Sequence, residues 1–148
     1  MKLVKSLHTS MLRFISEFAN EYGLETVNMD AHGDESTLPQ KDFIAVSGLS
    51  WDVDDGFLNV NVMFGISTLE DTNLFRLVEL VGELFEKVLP TMRINAYDAD
   101  TGEKVGNFVV RNGTRALPVG GSTVRPLQYV MVGLLSTTTF SPAHEEED

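Results

Sequence analysis

The amino-acid sequence predicts a single α+β domain in which a mainly antiparallel sheet carries two helices packed on one face. Three observations predict this class. The 148 residues suffice for one domain but are too few for two ordinary ones. Two segments repeat apolar residues at helical spacing, and several others have the composition and alternation of strands. Apolar residues make up 43% of the chain and charged residues 22%, which is typical of a folded globular protein.

The first predicted helix spans about Lys2 to Tyr22. Gly23 follows as the residue that ends it, because glycine adopts the left-handed conformation without strain. A short strand is predicted over Leu24–Met29, and the polar segment Asp30–Lys41 is predicted to be a surface loop. The apolar residues of the helix form one stripe that we expect to face the sheet, namely Leu3, Leu7, Met11, Phe14, Phe18 and Tyr22, with Val4 and Ile15 beside them.

A hairpin follows the loop. Its two strands are predicted over Asp42–Trp51 and Phe57–Ile66, and the second alternates apolar residues with Asn59 and Asn61. The link between them ends in Asp55-Gly56, a pair that favours the two-residue turns of antiparallel hairpins. The alternation predicts one buried face and one face that is solvated or in contact with another subunit.

The second helix is predicted over Leu69–Leu89. Thr68 and Asp71 resemble a capping box at its beginning, and Pro90 marks its end. The predicted buried stripe consists of Leu74, Leu77, Val78, Val81, Leu84, Phe85 and Val88. Glutamates line the predicted outer side, with Lys87 spaced for an ion pair with Glu83. From both stripes we expect the side chains of Phe14, Leu77 and Leu84 to lie between the helices and the sheet.

A second hairpin and a long terminal strand complete the predicted sheet. Met92–Tyr97 and Lys104–Val110 flank a polar turn at Asp98–Gly102. Arg111–Thr123 holds three glycines and a proline, and a segment of that length predicts a mobile or functional loop. Val124–Phe140 is apolar on both faces, which predicts a central strand or one covered by a neighbouring subunit. The domain is predicted to comprise residues 1–140, followed by a flexible acidic tail at residues 141–148.

Charge is distributed unevenly along the chain, whose net charge is −11. Residues 104–144 contain four basic residues and no acidic one, whereas residues 1–103 contain 18 acidic and 7 basic residues. We hypothesise that the basic stretch of one subunit meets the acidic helix of the next. The predicted contact residues are Arg111, Arg115 and Arg125 on one side and Glu79, Glu83 and Glu86 on the other. The alternative is that these are ordinary solvated surface charges.

We find no catalytic or metal-binding constellation in the sequence, so we expect the chain not to be an enzyme and to bind no cofactor or metal. The absence of cysteine excludes a thiol nucleophile and a cysteine-based zinc site. Asp100-Thr101-Gly102 spells the aspartic-protease triplet, but that chemistry needs two buried carboxylates that share a proton, and this turn should be solvated. A hydrolase remains an alternative, because the residues of a catalytic triad need not be adjacent in sequence.

Neither a membrane nor a nucleic acid is an expected partner. No apolar run approaches the roughly 20 residues that a membrane helix needs, and no secretory signal is recognisable at the N-terminus, so we expect a cytoplasmic location. The few bases of residues 104–144 are not interleaved with aromatic residues as in a typical nucleic-acid site.

The predicted order of elements resembles that of the tail terminator proteins of long-tailed bacteriophages, the family that includes the phage lambda terminator. The resemblance lies in the layout of the N-terminal helix Lys2–Tyr22, the helix Leu69–Leu89 and the final strand Arg125–Phe140, and no motif carries it. It implies a homohexameric ring that caps the tail tube, stops tube polymerisation and presents the surface to which the head joins. The implied partners are the tail tube protein and a head-completion or neck protein.

The same resemblance implies a location in the virion tail, and in the host cytoplasm during assembly. DNA would pass through the lumen of the ring without specific binding, because the protein is predominantly negative. The alternatives are another phage neck, tail-completion or baseplate component, or a small cytoplasmic binding or regulatory module. Oligomeric state separates these classes, because a ring-forming protein gives a closed multimer.

Overall fold

Two helices lie against one face of an eight-stranded sheet, and the α+β class expected from the sequence is confirmed. The computed structural model describes residues 2–31 and 38–138. The predicted tail at 141–148 and residues 32–37 of the predicted loop lie outside the described residues. In chain order the elements are α1 (Lys2–Tyr22), β1 (Glu25–Asn28), a 3₁₀ turn (Met29–Ala31), β2 (Phe43–Asp54), β3 (Phe57–Ser67), a second 3₁₀ turn (Thr72–Leu74), α2 (Phe75–Lys87), β4 (Arg93–Tyr97), β5 (Lys104–Asn112), β6 (Arg115–Ala116), β7 (Gly120–Gly121) and β8 (Pro126–Thr137).

The sheet has the strand order β1-β2-β3-β8-β5-β4, and β6 and β7 both pair with β8. Only β1 and β2 are parallel, so the sheet is mainly antiparallel as predicted. The β2–β3 hairpin turns at Asp55 and Gly56, which have φ of 52° and 82°, the left-handed values that tight hairpin turns require. Strand β8 has neighbours on both sides, which confirms the prediction of a central strand.

The core lies between the two helices and the sheet. Leu77 and Leu84 of α2 are completely buried, as predicted, and so are Leu7, Met11 and Ile15 of α1. Phe14 is only partly buried, but its ring centroid lies 4.9 Å from that of Phe64 on β3. On β8, Val130, Val132 and Leu135 are buried on the side that faces the helices. We call the opposite side of the sheet, on which neither α1 nor α2 packs, the open face.

The prediction that the second helix begins near Leu69 is wrong. Asn73 and Leu74 have φ of 57° and 61°, and a right-handed helix cannot run through two left-handed residues. Asp71 caps the helix from three residues before its N-cap residue, Leu74. Its carboxylate accepts hydrogen bonds from the backbone N–H groups of Arg76 and Leu77 at 3.0 and 2.8 Å. The regular helix therefore begins only at Phe75.

The predicted buried stripe of α2 is also partly wrong. Val78 is 61% exposed, whereas Leu80, which was not assigned to the stripe, is buried. Successive residues of a helix are about 100° apart around its axis. Viewed along the axis, Val78 and Leu80 therefore lie on opposite sides of the buried Leu77. Both neighbours of the stripe are apolar, and spacing alone does not decide which of them turns inward. The packing of α2 against β3 and β8 decides it.

The segment predicted as a loop over Arg111–Thr123 is not free of the sheet, and this is a further correction. β6 and β7 each pair two residues with β8, at Met131–Val130 and at Leu127–Pro126. The path requires glycine where the segment crosses β8. A Cβ atom built on Gly133 would lie 2.8 Å from the Cα atom of Gly113, closer than real side chains allow.

A polar junction joins the beginning of β2 to the ends of both helices. The Arg76 guanidinium donates to the Asp42 carboxylate at 2.7 Å and to the carbonyl of Tyr22, the last residue of α1, at 3.1 Å. The other Asp42 oxygen accepts the Leu69 N–H at 2.8 Å. Charge-assisted hydrogen bonds of this kind are stronger than neutral ones, so the junction fixes how the irregular segment before α2 leaves the sheet.

Leu84→Ala and Val78→Ala form a matched pair that tests the rotation of α2. We expect Leu84→Ala to reduce the free energy of unfolding by about 2–5 kcal/mol, because it leaves a cavity at a completely buried position. Val78→Ala should change it by less than about 0.5 kcal/mol, because the side chain is mostly in solvent. Chemical denaturation measures both, and equal losses would contradict the orientation described.

Asp71→Ala tests the cap. Partial burial raises the pKa of the Asp71 carboxyl, but the hydrogen bonds from Arg76, Leu77 and Thr68 outweigh this, and the pKa lies below its ordinary value. The ionised carboxylate therefore stabilises the fold above the ordinary aspartate pKa of about 4, and this contribution is lost as the pH falls through the lowered value. We expect the substitution to cost about 0.5–2 kcal/mol at pH 7. Denaturation curves recorded from pH 7 to pH 2 give the difference in free energy of unfolding between the wild type and Asp71→Ala. A difference that does not shrink as the pH falls would argue against the cap.

Candidate assembly surfaces

The six residues predicted to form a subunit interface lie on different sides of the sheet. Glu79, Glu83 and Glu86 are on the exposed side of α2. Arg115 pairs in register with Met131, whose neighbours Val130 and Val132 are buried towards the helices, so Arg115 belongs to the open face. One chain therefore cannot bring its own acidic helix to its own open-face arginines.

The three glutamates do not have the same surroundings. Glu79 and Glu86 form no hydrogen bond or ion pair with any other residue in the described ranges. Glu83 accepts a hydrogen bond from the Tyr22 hydroxyl at 3.1 Å, and desolvation together with this bond raises the pKa of Tyr22 to about 12. The prediction of an ion pair between Glu83 and Lys87 is wrong. The Lys87 ammonium instead lies 3.5 Å from the carboxylate of Glu21 on α1. Glu83 and Lys87 thus connect the two helices.

An apolar row runs beside these glutamates along the same exposed side of α2. Phe75 is 72% exposed and Val78 is 61% exposed, and Leu89, just after the helix, is exposed as well. Gly82 lies between them at the helical spacing, and no atom lies within 4 Å of a Cβ built on it. We call the apolar row (Phe75, Val78, Gly82, Leu89) together with Glu79 and Glu86 the α2 outer face.

Gly82 is unusual for its position. A glycine in the middle of an exposed helix costs about 1 kcal/mol relative to alanine. No described residue requires the side chain to be missing, since none lies within 4 Å of a Cβ built on Gly82. What the glycine provides is a flat stretch of backbone between Val78 and Glu86 that another chain can approach closely.

The open face carries a groove with two arginines. The groove is lined by Phe57, Arg93, Asn107, Val109, Arg111 and Ser136, together with Thr137 and Thr138, and we call it the basic groove. The Arg111 guanidinium donates to the Ser136 hydroxyl at 2.8 Å. Arg93 pairs in register with Val109, two residues before Arg111, and so lies diagonally beside it. Neither arginine forms an ion pair with a carboxylate within residues 2–31 or 38–138.

The three arginines singled out in the sequence are not clustered. Arg111 contacts Ser136 and Arg115 pairs with Met131, while Arg125 directly precedes β8. At about 3.4 Å per residue, neighbouring members of this series are roughly 17 Å apart along the strand. Arg93 is the nearer companion of Arg111. No local sequence pattern indicates this, because strand pairing, and not proximity in the sequence, brings Arg93 and Arg111 together.

Arg125 is held within its own chain. Its guanidinium lies 5.0 Å from the centroid of the Phe43 ring and donates hydrogen bonds to the Ser67 hydroxyl, at 3.4 Å, and to the Pro39 carbonyl. Arg115, by contrast, is exposed on β6, and its side chain has no hydrogen bond or ion pair with other described residues. A charge reversal at Arg125 would therefore disturb the fold as well as any interface.

The turn that contains the protease-like triplet is a solvated Asx turn. The Asp98 carboxylate accepts the backbone N–H groups of Asp100 and Thr101 at 2.8 and 3.3 Å. Asp100 itself is exposed and lies 3.4 Å from the Lys5 ammonium. Across the ranges described, no three His, Cys, Asp or Glu side chains are grouped so that they could hold a metal ion. Nor does any helix there have the length and apolar character needed to span a membrane.

Arg125→Ala and Arg115→Ala distinguish an internal arginine from a surface one. We expect Arg125→Ala to lower the free energy of unfolding by about 1.5–3 kcal/mol, the usual range for hydrogen bonds to a charged group. Arg115→Ala should change it by less than about 0.5 kcal/mol. Thermal and chemical denaturation give both values. If Arg115→Ala lowered the free energy of unfolding as much as Arg125→Ala, the described contacts of the two side chains would be wrong.

No protein-family model matches the chain, and no curated protein matches it.

Proposed function

We propose that this protein is a structural component of a phage tail, a tail terminator. Its subunits form a ring that caps the tail tube, stops tube polymerisation and provides the surface to which the head joins. The observation that carries the proposal is the order of elements, in which an N-terminal helix, a hairpin, a second helix, a second hairpin and a central terminal strand follow one another. This is the layout on which the resemblance to the tail terminator family rests.

The surfaces of the subunit support self-association. The α2 outer face is acidic and partly apolar, and the basic groove lies on the other side of the sheet. Two different surfaces on opposite sides suit head-to-tail contacts, which generate a ring when the rotation between subunits closes. The net charge of −11 also suits a ring through which DNA passes without specific binding. In this proposal the protein acts in the virion tail after assembly in the host cytoplasm.

The first measurement is the oligomeric state of the purified chain, by native mass spectrometry and negative-stain microscopy. We expect a closed ring, with a hexamer as the specific expectation from the resemblance. Added to polymerising tail tube protein, the ring should shorten the tubes and appear at one end of each. A small binding or regulatory module would instead give a monomer or dimer with no effect on tube length.

Deletion of the gene in a phage that encodes it gives the decisive result. Tails made without a terminator should be longer than normal and of variable length, and they should fail to join heads. Complementation with the wild-type gene should restore both properties. Tails of normal length in the deletion strain would reject the assignment, and tails that are normal but lack heads would favour another neck component.

A further inference from the structure

The α2 outer face and the basic groove have the properties of two halves of one contact. We infer that the α2 outer face of one copy docks into the basic groove of a second copy of this chain. The inference rests on the ring proposed above and names the surfaces that hold it together. It differs from a contact formed by surface charges alone, because it places an apolar row at the centre and assigns Arg93 a role.

Within residues 2–31 and 38–138 nothing covers the apolar row of the α2 outer face. Single exposed apolar side chains are common on protein surfaces, whereas large contiguous apolar patches mark interaction sites. Phe75 and Val78 are the two most exposed large apolar residues of the helix, and Val78 and Leu89 lie on either side of the bare backbone at Gly82 along the row. Side chains of a partner can therefore contact the helix backbone at Gly82, between two apolar side chains.

Charge complementarity points to a second copy as the partner. Glu79 and Glu86 are seven residues apart on one side of α2, or roughly 10.5 Å. Arg93 and Arg111 are diagonal neighbours on adjacent strands, roughly 7–8 Å apart at Cα, and their long side chains can span the difference. All four lack an oppositely charged partner among the residues that the structure describes.

The apolar parts of the two surfaces also match. Phe57, which lines the basic groove, is exposed at the turn of the β2–β3 hairpin, and Val109, which also lines the groove, pairs directly with Arg93. Burying Phe75 and Val78 against these residues removes apolar surface from water on both copies. The arginines then lie at the rim of the apolar contact, where the glutamates of the neighbour approach.

The arrangement makes the contact head-to-tail. Because the two surfaces lie on opposite sides of the sheet, each copy offers α2 to one neighbour and its groove to the other. Such a heterologous contact closes into a ring or continues as a filament, according to the rotation between copies.

Reciprocal charge reversal tests the pairing. The helix variant is Glu79→Arg with Glu86→Arg, and the groove variant is Arg93→Glu with Arg111→Glu. We expect each variant alone to be monomeric by native mass spectrometry, because like charges then face each other. An equimolar mixture should regain the wild-type number of subunits with the two variants alternating, because every contact in such a ring again joins opposite charges.

One control and one further test accompany these variants. Glu103→Arg with Lys104→Glu reverses exposed charges away from both surfaces and should assemble like the wild type. Gly82→Leu adds no charge and has open space for its side chain, so it should stay folded by circular dichroism yet weaken self-association at least tenfold.

The outcomes separate this inference from the proposed function. Multimers that persist in both charge variants and in Gly82→Leu would reject the docking surfaces while leaving a ring intact. If the mixture remains monomeric although both variants are folded, the pairing of these two surfaces is wrong. A wild-type chain that is monomeric both alone and on tail tubes would reject the ring and this inference together.

Discussion

The two edges of strand β8 impose the main constraint on this fold. Backbone N–H and C=O groups inside a protein need hydrogen-bond partners, and β8 runs for twelve residues through the middle of the sheet. β3 covers one edge along nearly its whole length, but β5 reaches only the end near Ser136. The chain completes the other edge with β6 and β7, two short strands that run in the same direction and are separated by residues 117–119. Residues 113–125 therefore follow β8 instead of extending into solvent.

This solution makes small residues necessary at particular points. Gly113 and Gly133 are in backbone contact where β5 gives way to β6, and any side chain there would separate the strands. On the open face, the Tyr129 ring lies directly over Gly65, at a distance that leaves no room for a Cβ atom. Just before β8 begins, the Arg125 side chain contacts Phe43 and Ser67. Polar and aromatic side chains thus hold the sheet where backbone pairing is irregular.

Sequence periodicity predicted those elements whose structure is set locally. The stripe of α1, the Asp-Gly turn of the first hairpin and the apolar character of β8 each depend on residues close together in the chain. The beginning of α2 could not be predicted in this way, because Asp71 caps the helix across two residues in left-handed conformations. β6 and β7 are too short for a periodic signal, and their pairing depends on the length of a distant strand.

The same distinction applies to the candidate surfaces. The exposure of Glu79 and Glu86 follows from their position on an amphipathic helix, and it was predicted. The inward position of Arg125 depends on Phe43, which is 82 residues away in the chain, and no local pattern contains that information. Arg93 joins Arg111 only through the β4–β5 register. The apolar row beside the glutamates was not predicted, because the spacing of Val78 is also compatible with a position in the core.

The outer edge of β4 affects how the molecule can associate. Two buried serines of α1 cover the end of this edge, with the Tyr97 N–H donating to Ser10 at 2.9 Å and the Ala99 N–H donating to Ser6 at 3.0 Å. A strand from another molecule would have to displace these hydroxyls before it could pair with this end of β4, and exposed edges are the usual route to uncontrolled aggregation. Strand addition is thereby opposed at the end of β4 that carries Tyr97. When two copies instead meet through the faces of their sheets, side-chain packing fixes the angle between the copies. This angle sets how many copies a closed assembly contains.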